Sequence, residues 1–79
     1  MITKEQYELL VENESHLECA SKQGFARNLD RGWLNRAKDV YQEHTGSPLN
    51  IDCNQCVIPG MSRLYDLMID YRESTKKKD

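Results

Sequence analysis

The chain has 79 residues, 11 basic and 13 acidic, for a net charge of −2 and a pI near 5.6. That length sets a single domain with a marginal core, and that balance removes any global electrostatic drive towards nucleic acid or anionic membrane. No apolar run follows the start methionine or reaches membrane length, and three cysteines form an odd set, so a soluble cytoplasmic protein with reduced thiols is expected, not a disulfide framework.

The first predicted helix opens at Thr3, an N-cap candidate with Gln6 three residues on in the capping-box pattern, while Ile2 and Tyr7 occupy the staple positions. Tyr7, Leu10, Val11 and Leu17 then recur at helical spacing between glutamates and lysines. Ser15 and Glu18 repeat the capping-box pattern, which allows a bend at Asn13–Ser15. One helix from residue 3 to about 23 is nevertheless preferred, ended by Gly24 and the run FARNLDRG.

The second helix is predicted over 31–45: Asp30 caps it, Leu29 and Leu34 can form the staple, and Trp33, Leu34, Ala37, Val40 and Tyr41 make the stripe. Thr45-Gly46 followed by Pro48 stops it. Leu49 and Ile51 alternate with Asn50 and Asp52, predicting an extended loop whose apolar side chains lie on the core. A third helix follows over about 56–73, striped by Val57, Met61, Leu64, Tyr65, Met68 and Tyr71, and residues 74–79 are read as a frayed basic tail. Proline lacks an N–H and is harmless in a first turn, so Pro59 is placed there, with the Cys53-x-x-Cys56 pair at the helix entrance.

That pair is the one stretch resembling chemistry. Zinc would find four acceptable ligands in His16, Cys19, Cys53 and Cys56, both pairs having ligand-like spacing. In an up-down-up bundle, however, His16 lies about 20 Å from the start of the third helix. The site then needs either a break of the first helix at Asn13–Ser15 or a loop doubled along it. Thiol redox chemistry is the second reading, since a helix N-terminus stabilises a thiolate, but this chain lacks the α/β setting in which such pairs occur. The simplest reading makes both cysteines small, partly buried groups capping the third helix beneath Leu49 and Ile51.

The charge is distributed unevenly: residues 1–23 carry −3, residues 24–46 carry +1 and residues 47–79 are neutral. An acidic first segment thus suits the basic residues Arg27, Arg31, Arg36 and Lys38, which alternatively offer contacts to nucleic-acid phosphates together with the C-terminal lysines. His44 reads as a last-turn residue whose cationic form suits a helix C-terminus. Trp33, Tyr7, Tyr41, Tyr65 and Tyr71 fall on stripe positions and are expected in the core or at its rim rather than as a stacking platform. No nucleotide-binding glycine loop, nucleophile motif or pair of placed carboxylates occurs, so no enzyme is expected.

The order of FARNL (25–29), a helix ending YQEHTG (41–46), and LNIDCNQCV (49–57) leading into MSRLYDL resembles a group of small uncharacterised proteins encoded by phages and prophages of gut bacteria. Arg27, Asn28, Leu29, Thr45, Gly46, Cys53 and Cys56 are the matching positions, His16 and Cys19 lie outside them, and Pro59-Gly60 departs from the helix-forming residues usual there. The resemblance implies a mobile-element origin in a bacterial host and no established activity, so it assigns no functional residues. The expected protein is a compact all-α, three-helix domain over 1–73, without cofactor. It would act non-enzymatically by binding a protein partner or by self-association, with nucleic-acid association or zinc stabilisation as the alternatives.

Overall fold

A computed structural model of the chain describes residues 2–24 and 30–76, Asn54 and Lys76 by backbone alone. Its helices are α1 (Lys4–Val11), α2 (Glu14–Gln23), α3 (Arg31–Thr45) and α4 (Asn54–Lys76), and no strand occurs among the described residues. Among the described residues the all-α class holds, but the helices number four instead of the three expected.

The entrance to α1 is as expected. The Thr3 hydroxyl accepts from the Gln6 N–H at 3.1 Å and the Gln6 side chain accepts from the Thr3 N–H at 2.9 Å, so the capping box satisfies two donors that a helix start leaves free. Ile2 is buried and Tyr7 packs against the same core.

The single helix predicted over 3–23 is two helices, divided at Glu12-Asn13. The Asn13 N–H bonds the Leu10 carbonyl at 3.2 Å, a three-residue step in place of a four-residue one. Asn13, with φ −126° and ψ 36°, is the cap of α2, so Ser15 lies inside that helix and its expected capping role does not arise. The shortened step deprives the Leu9 carbonyl of the N–H that a continuing helix would give it. Trp33 supplies the replacement: its indole N–H donates to the Leu9 oxygen at 2.8 Å, from a ring that is only 4% exposed. Val11, expected in the apolar stripe, is instead 38% exposed.

The predicted bounds of α3 are those observed. The Asp30 carboxylate accepts from the Trp33 N–H at 2.9 Å, and Gly46, at φ 76°, returns its N–H to the Gln42 carbonyl at 2.9 Å. A left-handed backbone is what glycine takes without steric penalty. The Leu29 half of the proposed staple lies outside the described residues. In the following loop Leu49 is buried and Ile51 is half-buried against the core, as expected. The segment is not extended throughout, since the Asn50 side chain accepts from the Asp52 N–H at 3.1 Å and turns it.

α4 begins earlier and ends later than the predicted 56–73. The Cys53 carbonyl starts its ladder, accepting from the Cys56 and Val57 N–H groups at 3.0 Å each. Pro59 therefore stands inside the helix, not in its first turn. It can offer no N–H to the Gln55 carbonyl, and Gln55 and Pro59 are both exposed residues. The C-terminal end remains helical through Lys76, past the expected fraying point at residue 74, and residues 77–79 lie outside the described residues.

α2 and α4 form the most extensive interface. Leu10, Leu17, Met61, Leu64 and Met68 are the fully buried large side chains, each contributing about 1.5–3 kcal/mol. Gly60 has a specific place in this packing: it is buried, and a Cβ there would overlap the Leu49 side chain. Gly60→Ala is expected to lower stability by about 1–3 kcal/mol through overpacking, although alanine is the better helix former. In Leu49→Ala the same glycine replacement should cost much less, a non-additivity measurable by urea unfolding of the four proteins of a double-mutant cycle. Trp33→Phe should cost about 1–3 kcal/mol because the Leu9 carbonyl loses its donor, and amide exchange should accelerate first in α1; exchange unchanged there would show that the indole bond does not hold α1.

Candidate functional site

The Cys53-x-x-Cys56 pair sits where the sequence placed it, at the start of α4, and both thiols are free. Its exposure differs from expectation, since Cys53 is half-buried but Cys56 is exposed, and so is not a partly buried filler. The neighbouring Cys56 side chain holds Cys53 below the ordinary thiol value of 9.0, with the Cys56 and Gln55 backbone N–H groups acting in the same direction. Cys56 is pushed up for the complementary reason, since its proton is held by Cys53. The pair is thus asymmetric in acidity and in access.

His16 and Cys19 are both half-buried on α2, where the Cys19 sulfur is 3.7 Å from the Gln23 side-chain oxygen. The first helix does break, as the zinc reading required. Even so, no group of three or more His, Cys, Asp or Glu side chains among the described residues is gathered to hold a metal, so the two pairs are not brought together.

His44 has the last-turn position expected of it, and the structure supplies partners that the sequence did not name. Its Nε2 lies 3.0 Å from Gln6 Oε1 and 3.2 Å from Glu43 Oε2, while the Gln6 amide donates to the same Glu43 oxygen at 3.0 Å. Both neighbours of Nε2 are acceptors, so that nitrogen carries the hydrogen. The cluster ties the capped start of α1 to the end of α3.

Beside it runs an open groove of about 410 Å³ between α1 and α3, lined by Glu5, Gln6, Glu8, Leu9, Glu12 and Arg36. The three glutamates share one face because their spacing of three and four residues returns to the same side of a helix, and Arg36 faces them from α3. Arg31 does not join this surface, since it is paired with Asp52 in the loop before α4. Arg27 lies outside the described residues.

The sequence held no sign of the ion pair between Glu14 and Arg72. Two guanidinium nitrogens of Arg72 reach the Glu14 carboxylate at 2.8 and 3.3 Å, its Nε donates to the Tyr7 hydroxyl at 2.9 Å, and Tyr7 stacks on Tyr71 with centroids 4.7 Å apart. Arg72 holds the Glu14 carboxyl below its ordinary value of 4.5, and Glu14 followed by Tyr7 drives the guanidinium further up. The cluster joins α1, α2 and α4.

No described helix is long and apolar enough to cross a membrane. No protein-family model, curated protein or solved structure matches the chain. The functional reading accordingly stands on geometry.

The Glu14–Arg72 pair has a pH signature. A carboxyl whose folded value is depressed contributes stability that is present above its unfolded value and is lost as pH falls through the folded one. Each side chain is 34% exposed, so screening limits the contribution to about 1 kcal/mol. Glu14→Gln should therefore lower stability by about that amount at neutral pH, and the difference from wild type should shrink towards zero below pH 4.5. Thermal melts from pH 7 to about 3 check this; a constant difference across the range would show that Glu14 does not act through its charge.

Proposed function

We propose that the protein is a small non-enzymatic accessory factor that binds a protein partner, with the groove between α1 and α3 as the docking surface. The observation that carries this reading is the composition of that groove: three carboxylates on one helix face, a half-buried Leu9 within it, and a single cation opposite. Charge complementarity selects a partner segment bearing lysine or arginine with at least one apolar side chain, the carboxylates steering the encounter and Leu9 giving it an apolar footing. The phage or prophage origin implied by the FARNL, YQEHTG and CNQC segments fits such a role, since a factor of this kind acts on proteins of a bacterial host cytoplasm.

Self-association is the related alternative within the same class. Nucleic-acid binding gains no support from the described surface, where Arg31 is engaged by Asp52 and Arg36 faces glutamates.

Glu8→Gln with Glu12→Gln leaves the acidic first-turn residue Glu5 in place and removes two groove charges. Wild-type protein immobilised in bacterial lysate should retain a basic partner, released by raised salt, that the double variant binds at least about tenfold more weakly. Equal retention by the two proteins, or light scattering of a pure monomer together with no retained partner, would remove this reading.

A further inference from the structure

The groove and the core leave one chemically distinctive feature unused, the dithiol at the start of α4. Its backbone is already shaped for a covalent link. The Cys56 and Val57 N–H groups both bond the Cys53 carbonyl at 3.0 Å, so the two cysteines stand three residues apart across the first turn of α4, where such residues are neighbours. A disulfide closes without backbone movement when the Cα atoms are roughly 4.4–6.8 Å apart. Both thiols are free, and Cys56 faces solvent. Cys19, the third thiol, stands alone on α2, against a side-chain amide.

We propose that Cys53 and Cys56 form a site of thiol–disulfide exchange, which takes oxidising equivalents from low-molecular-weight disulfides and holds them as a reversible Cys53–Cys56 disulfide.

Cys53 is the attacking group. Its sulfur lies at the helix entrance, where backbone N–H groups and the Cys56 thiol stabilise the thiolate. The thiolate attacks one sulfur of the oxidant, whose S–S bond breaks; the departing thiolate takes a proton from solvent, and Cys53 is left in a mixed disulfide. With the Cys53 anion consumed, the interaction that held the proton on Cys56 is gone. Cys56 then gives its proton to solvent and attacks the Cys53 sulfur, expelling the second thiol of the oxidant. Two protein thiols have lost two electrons and two protons, and one oxidant disulfide has become two thiols. Reduction by an excess of small thiol runs the same steps backwards. The exchange uses a surface separate from the groove, so its failure and the failure of the docking proposal are distinguishable.

The experiment uses the full chain, reduced and then equilibrated in mixtures of oxidised and reduced glutathione, with acid quenching, alkylation and mass spectrometry of the intact protein and its peptides. The wild type should lose the mass of two hydrogens at the 53–56 peptide while Cys19 stays open to alkylation, and Cys19→Ser should behave identically. Cys56→Ser should stop at a stable glutathione adduct on Cys53. Cys53→Ser should form its Cys56 adduct at least roughly tenfold more slowly. Circular dichroism confirms that each variant is folded. Adducts on Cys19 forming as fast as those on Cys53, mixed disulfides that persist in the wild type, or a 53–56 disulfide that excess reduced glutathione does not open would each overturn the proposal.

Discussion

The carbonyl of Leu9 is the group on which the arrangement of the first half of the chain depends. A helix that stops inside a folded chain leaves its last carbonyls without partners, and one left buried costs about 1–3 kcal/mol. Here the Trp33 indole takes the Leu9 oxygen at 2.8 Å. This allows α1 to end at Val11 and α2 to take a new direction against α4. The other end of α1 is tied to α3 by the Gln6 side chain, which completes the capping box while meeting His44 and Glu43. α1 is thus held at its first and last turns by two positions about three turns apart on α3. The face carrying Glu5, Glu8 and Glu12 consequently lies beside Arg36 and forms the groove.

The reverse side of the break is secured by charge. Glu14, in the first turn of α2, meets Arg72 near the end of α4, and the same guanidinium binds the Tyr7 hydroxyl of α1. One cation therefore spans three helices at the point where the first two part. Its contribution in free energy is small, because both partners are partly in water. Its geometric effect is larger, since a bidentate pair accepts few relative orientations of the helices that carry it.

What was legible in the sequence was local. Thr3, Asp30 and Gly46 act within four residues of themselves, and each does what its chemistry specifies. The helical stripes of α3 and α4 likewise marked Leu34, Ala37, Leu64 and Met68 as buried. The break at Glu12-Asn13 was only half legible: Asn13–Ser15 showed a bend signal, but the decision between bending and breaking rests on a donor 24 residues away. The Glu14–Arg72 pair spans 58 residues, and no periodicity encodes a contact at that range. Pro59 misled for a physical reason, because the penalty of its missing N–H depends on whether the Gln55 carbonyl reaches water, which is a property of the fold. The spacing of Cys53 and Cys56 was visible in the sequence, whereas their unequal exposure was not.

The loop before α4 gathers these threads. Leu49 is seated against Gly60, a place open only because that residue has no side chain, and Asp52 is paired with Arg31. Both anchors lie within the four residues before Cys53, so the backbone leading into the cysteine turn is positioned by contacts that involve neither sulfur. The groove draws its lining from α1, Glu12 and Arg36 of α3, and Cys53 is not among those residues. The proposed docking surface on α1 and α3 and the proposed dithiol site at the start of α4 therefore use different residues. Chemistry at the second need not alter the first unless a bound partner reaches both.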